Sequence, residues 1–260
     1  MRRCCVTVNS MRGPKSVLYI VEGIKDEKRL IERMWNRLSE GAPPHAYHYY
    51  GTNIHVLINA LFENGTLDSD LDILKTLASR EKDEDRKRIL LNKYTDVFLV
   101  FDFDPQDNST ENDLSKIGEL LRHFNDSSDS GKLYLNYPMI EAYRHISYLE
   151  DPEFYGKKIS IEDCHRYKEI VGNESFLKEP SKCTAYMMRS ITLMHLKKAN
   201  LLINGNNKLP TVDEYDLWDN TCLFKIQCEL FTNEGMIFVL NTSVFNMVDY
   251  SPSLFLPVEP

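Results

Sequence analysis

The stretch Val17-Leu-Tyr-Ile-Val-Glu22-Gly23 constrains the fold of this chain more than any other. An unbroken apolar run with Val17, Ile20 and Val21 branched at Cβ has no polar face to turn to solvent. It reads as a strand buried on both sides, the kind found inside a parallel sheet. Such sheets present their functional groups just past the carboxyl ends of their strands, which is where Glu22 stands. The residues that follow space Leu30, Ile31, Met34 and Leu38 at helical intervals. Glu22 therefore falls in the turn between a buried strand and an amphipathic helix, where a carboxylate is costly unless it is paired, hydrogen-bonded or bound to a cation.

The same grammar recurs downstream. His45 to Tyr50 suits a second strand, after a helix break at Gly41-Ala-Pro-Pro44. Ile54–Phe62 and Asp70–Leu91 read as helical regions, and the mixed-sign charge block Arg80–Arg88 reads as a solvated face. Asp96-Val-Phe-Leu-Val-Phe-Asp102-Phe-Asp104-Pro105 is a second buried strand ending in acid. On an extended chain residues i and i+2 point to one side, so Asp102 and Asp104 are expected to face one point if the strand continues through Phe103. Like charges that close repel, and a divalent cation is the usual reason to keep both ionised. After a helix over Leu114–Phe124, a third strand, Lys132 to Tyr137, leads into Glu141. Alternating β and α segments with acids after the strands predict a parallel sheet whose carboxylates meet along one edge.

Three regions are expected: a lead-in over 1–15, an α/β domain over 16–150, and a mainly helical part over 151–260 for substrate recognition or partner docking. In the last, Thr184–Leu202 and Thr221–Glu229 read as helices, Met236–Leu240 as a short strand or helix end, and Ser251–Pro257 as an extended arm. The chain has 260 residues and a net charge of -8, which argues against a broad basic surface but leaves room for a local one. Its six cysteines form no Cys-x-x-Cys pair and read as reduced thiols of a cytoplasmic protein. No apolar run of roughly eighteen residues predicts a membrane span, and the start predicts no signal peptide. His45, His48 and His55 lack metal-ligand spacing and read as half-buried strand and helix residues.

Acid plus glycine after a first strand (Val21-Glu22-Gly23) and Asp-x-Asp after a later one (Asp102-Phe-Asp104-Pro105) resemble the TOPRIM domain, over roughly residues 16–145. Glu22-Gly-Ile-Lys-Asp26-Glu27 resembles the Glu-Gly-x-x-Asp opening of TOPRIM nucleases. These include the overcoming-lysogenization-defect nucleases, the ribosomal-RNA maturase group, and TOPRIM effectors of bacterial anti-phage systems. The resemblance implies a Rossmann-like parallel sheet flanked by helices and a metal-dependent endonuclease acting on RNA or DNA, with transfer RNA among the candidates. Asp102 and Asp104 would hold Mg2+ or Mn2+, with Glu22 as ligand or general base and Glu141 and Asp26 completing or flanking a second site. Lys182, with Lys158 as the other candidate, would stabilise the transition state.

The sequence has no Gly-x-x-x-x-Gly-Lys-Ser/Thr loop, so an ATPase partner would be a separate chain. It has no zinc module of the primase kind. The Asp-x-Asp-Pro order does not match the Asp-x-Asp-x-Thr/Val-Gly pattern of phospho-aspartate enzymes. A non-catalytic regulatory subunit of such a complex is the alternative, and the apolar second half suits a homodimer.

Overall fold

The computed structural model describes residues 16–39, 45–63, 65–105 and 111–257. The expected lead-in over 1–15 and the helix break at 41–44 lie outside these. The chain runs β1 (Val17–Val21), α1 (Asp26–Leu38), β2 (His45–Tyr49), α2 (Ile54–Leu61), a small ribbon of β3 (Phe62–Glu63) and β4 (Thr66–Leu67), then α3 (Ile73–Arg80), α4 (Glu84–Leu91), β5 (Asp96–Asp102), α5 (Glu111–His123), β6 (Asn125–Asp126) and β7 (Gly131–Asn136). After a 3-10 turn over Ile140–Arg144 come β8 (Lys158–Ser160), α6 (Tyr167–Glu174), α7 (Ala185–Asn204), α8 (Val212–Asp216), α9 (Asn220–Glu234), β9 (Met236–Phe238) and α10 (Asn246–Tyr250).

The result is an α/β fold around a five-stranded sheet of order β2-β1-β5-β7-β6. All pairings are parallel except the short edge strand β6. The apolar run of β1 is fully buried, as its composition requires. The chain leaves β1 for β2 on one side and later returns to place β5 on the other. The topological switch point of the sheet therefore lies between β1 and β5.

Parallel register places Tyr47, Tyr19 and Phe98 side by side on one face, with Tyr134 two residues past the register partner of Phe98 on β7. Their rings stack in succession at 5.6, 5.5 and 5.7 Å between centroids, a cross-strand ladder that fixes the register. Trp35 of α1 donates from Nε1 to the Tyr19 hydroxyl at 2.9 Å, and that hydroxyl donates to Asn246 Oδ1 at 3.1 Å. On the other face Phe103 packs against Phe224 and Phe231 of α9.

The region expected as one helical stretch over Asp70–Leu91 is two helices. Glu81 ends α3 in an extended conformation, and the Asp83 carboxylate caps α4 by accepting from the amides of Asp85 and Arg86. The later helices end where their glycines allow: Gly205 and Gly235 take left-handed φ values of 69° and 64° after α7 and α9.

Residues after 150 share one hydrophobic cluster with the sheet. A strap over 239–246 covers the exposed half of the β7 edge. Tyr137 and Leu240 exchange amide-to-carbonyl bonds at 2.7 and 2.9 Å, and the Thr242 hydroxyl donates to the Leu135 carbonyl at 2.9 Å. The expected arm at the end of the chain is instead a 3-10 turn over Pro252–Leu254, with Phe255 and Leu256 buried. Apolar side chains that find a core do not remain extended in solvent. No helix among the described residues is long and apolar enough to cross a membrane. Phe255→Ala should destabilise the fold by about 3 kcal/mol in denaturant unfolding; a loss near zero would restore the solvent-exposed arm.

Candidate functional site

Glu22 is held from both neighbours. Its amide donates to the Val100 carbonyl at 3.2 Å, and its carbonyl accepts from the Gly51 amide at 3.0 Å. The backbone thus continues the ladders one residue past β1 and aims the side chain across the switch point. There Glu22 Oε2 accepts from the Asp102 amide at 3.1 Å. Asp102 is the last residue of β5, and Asn136 is its register partner on β7. Asn136 is fully buried; its Nδ2 donates to Asp102 Oδ1 at 3.2 Å, and its own Oδ1 accepts from the Ser243 amide of the strap at 3.2 Å.

The pairing with β7 continues through Phe103, as expected, and the chain turns at Asp104. The Phe103 amide bonds the Asn136 carbonyl and its ring is buried, after which Asp104 turns to a positive φ of 42°. Left-handed φ is tolerated by aspartate better than by most side chains. That φ turns the Asp104 Cβ off the period-two line of the strand. Its charge still reaches Glu22 and raises that group's proton affinity.

Glu141 and Asp26 come from opposite walls. Glu141 sits buried on the 3-10 turn, its backbone held by the strap: Asn241 Nδ2 donates to the Ile140 carbonyl at 2.8 Å. Asp26 is exposed at the start of α1. Lys168 of α6 bridges them, its Nζ 3.1 Å from Glu141 Oε1 and 3.2 Å from Asp26 Oδ2. Burial works against that ammonium, but Glu141 and Asp26 outweigh it and hold its pKa above the ordinary lysine range. Glu141 Oε2 is buried without a hydrogen-bond partner.

Sequence reasoning missed three members. Glu27, not Asp26, is the buried acid of the first turn of α1. It lies three and four residues before Leu30 and Ile31, on the apolar stripe, and that spacing was the signal that could have found it. Gly23 makes room for it: a Cβ there would stand 2.9 Å from Glu27 Oε2. Lys168 and Asn136 complete the set. Lys182, named from sequence, does not join the acids; its ammonium pairs with Glu179 at 2.7 Å on an exposed turn. Lys158 pairs with Glu234 at 3.1 Å.

Glu22, Asp26, Glu27, Asp102, Ile140 and Lys168 line a cleft of about 430 Å³ at the carboxyl edge of the sheet. A larger cleft, about 510 Å³, lies at the opposite end of β5 beside Thr95, Val97 and Ser127. Volume alone does not pick the site; strand polarity and charge do. Burial pushes Glu22 up to about 7 against the pull of the Asp102 amide, with Glu27 and Asp104 adding to the rise. Burial, then Glu22 and Glu27, lift Asp102 well above the carboxylate range. Burial, then Asp26 and Glu141, raise Glu27.

Among the described residues, no three His, Cys, Asp or Glu side chains already stand together as a ligand set for a metal ion. The donor chemistry nevertheless fits a hard dication: all candidate ligands are carboxylate oxygens, neighbouring carboxylates add to the rise at Glu22 and Asp102, and one Glu141 oxygen is buried without a partner.

Because Glu22 binds its proton more tightly in the folded chain than in the unfolded one, its contribution to stability falls as pH rises from about 4.5 to about 7. Buried His48, His145 and His195, each lowered from 6.5, act in the opposite direction as pH falls. The diagnostic is therefore a difference. In denaturant unfolding of the metal-free protein, Glu22→Gln should gain stability relative to wild type as pH rises through that window, and a flat difference would remove Glu22 from the coupled cluster.

Compared with protein-family models, with curated proteins and with solved structures, the chain matches none. What the cleft does is read from its residues and their geometry.

Proposed function

We propose that the chain is a metal-dependent endonuclease of the TOPRIM kind, hydrolysing phosphodiester bonds of RNA or DNA. The observation that carries this reading is the Glu22 carboxylate hydrogen-bonded to the Asp102 amide at the switch point, with Glu27 and Glu141 acting on the same charges. Carboxylates gathered there from separate segments have no apolar purpose, since burying them together is costly.

Asp102 and Glu141 would hold Mg2+ or Mn2+, with Glu22, Glu27 and Asp104 beside them and Asp26 at the rim. When bound, such a cation offsets charge on the reacting phosphate and lowers the pKa of the attacking water. Asn136 orients Asp102 for that work. Glu22, with a proton affinity near neutrality in the metal-free chain, is suited to take the water's proton. Lys168 takes the part the sequence reading gave to Lys182: an ammonium already over the acids can follow charge onto a phosphate oxygen.

As an effector in anti-phage defence, such a nuclease would be cytoplasmic and toxic when unrestrained. It would be held or triggered by an ATPase partner. The second reading, a non-catalytic regulatory subunit, is favoured by the absence of a ready ligand set among the described residues and by Lys168 already neutralising Asp26 and Glu141.

Cleavage assays with Mg2+ or Mn2+ on labelled RNA and DNA separate the two. Glu22→Gln and Asp102→Asn should each lose activity by at least about a hundredfold, Lys168→Met by about the same, and Lys182→Ala by little. Wild-type protein that cleaves neither polymer yet copurifies with a second chain would establish the regulatory reading. In thermal melts at about pH 8, added Mg2+ should raise the wild-type midpoint and leave Asp102→Asn unchanged.

A further inference from the structure

A second cleft opens off the acidic one. It has a volume of about 420 Å³ and shares Asp26, Ile140 and Glu141 with the site or its rim, but its remaining charges are cationic: Arg29, Arg33 and Arg144. The same two elements build both clefts. The first turn of α1 carries Asp26 and Glu27 to the acids, and its next turns carry Arg29 and Arg33 into the groove. The 3-10 turn gives Ile140 to both clefts and brings Glu141 and Arg144 together along this one.

These guanidinium groups are weakly engaged. Arg29 reaches Asp26 only at 3.9 Å, and Lys168 already holds that carboxylate at 3.2 Å. Arg144 donates to the Leu177 carbonyl at 3.4 Å, and Arg33 enters no ion pair among the described residues. Arg33 and Arg144 both act on the buried Tyr143 phenol between them. On a chain of net charge -8, weakly paired arginines collected in one groove point to an anionic ligand whose oxygens a guanidinium can grip in pairs, as it does a phosphate's. Arg29 and Arg33 lie four residues apart on one helix face, about 6 Å along the axis, which suits successive phosphates of one strand.

We propose that the Arg29–Arg33–Arg144 groove binds the phosphate backbone of the nucleic-acid strand flanking the bond held at the carboxylates. The proposal rests on the nuclease reading for its ligand class, and its test is separable from that reading. The probe is a fluorescein-labelled single strand of roughly a dozen nucleotides, in DNA and RNA versions, titrated by anisotropy in EDTA over roughly 50 to 200 mM salt.

Arg33→Ala/Arg144→Ala should weaken binding at least about tenfold at the low end of that range. It should also reduce the slope of log affinity against log salt by about 1.4, since each lost phosphate contact on a single strand is worth about 0.7. Arg33→Lys/Arg144→Lys, which keeps the charges, should recover most of the slope and guards against a variant that merely unfolds. Lys225→Ala, an exposed cation on α9 away from the groove, should change nothing.

A double alanine variant that melts like wild type and binds with wild-type affinity and slope would overturn the groove, as would a wild-type chain that binds neither strand. Asp102→Asn should keep the binding and lose cleavage. Arginine-dependent binding in a wild-type chain that never cleaves would retain the groove and end the nuclease reading.

Discussion

Carboxylates cannot be buried together cheaply. Glu22 and Asp102 each end a strand whose other residues have left water, so each is drawn into a low-dielectric setting beside the other's charge. The molecule answers with donors placed at fixed points: the Asp102 amide for Glu22, the Asn136 amide for Asp102, and the Lys168 ammonium for Glu141 and Asp26. The balance stays incomplete, which is why Glu22 and Asp102 hold their protons so firmly. A fold selected for stability alone would put leucine or asparagine at these strand ends.

The restraints come from far along the chain. Asn136 is itself held by the Ser243 amide, and the turn bearing Glu141 by Asn241. His195 of α7 joins the same layer: its Nδ1 accepts from the Asn241 amide at 3.1 Å, and its Nε2 faces the Tyr143 carbonyl at 3.3 Å. The region after residue 150, which reads in sequence as a separate recognition unit, thus braces the residues behind Asp102 and Glu141 and gives Lys168 to the acidic cleft. Its helices pack into the same core as the sheet.

The central strands were legible because buried parallel strands leave a plain trace: Val17–Val21 and Val97–Phe101 are apolar without interruption. Which acids end those strands was legible for the same reason. Local geometry past the strand was less so. Asp104 looks like a partner of Asp102 by period two, and Phe103 keeps that period, but the left-handed turn at Asp104 itself departs from it. Asp26 looked like the site residue of α1 because motif resemblance favoured it, whereas the apolar stripe of that helix favours Glu27. Lys168 could not be read at all: its partner Asp26 is 142 positions away, and nothing local distinguishes it from other surface lysines. The two helices within Asp70–Leu91 needed the Asp83 cap to be recognised as a start signal rather than as part of a charge block.

The strap carries a further consequence for how such a chain comes into being. The acids are synthesised early, whereas the amide that steadies Asn136 belongs to a residue made 107 positions later. Until the ribosome reaches Ser243, the emerging polypeptide already bears Glu22 and Asp102 but lacks the amide that steadies Asn136. Assembly of the charged pocket thereby waits on residues synthesised well after its acids, a built-in delay for any chemistry it performs.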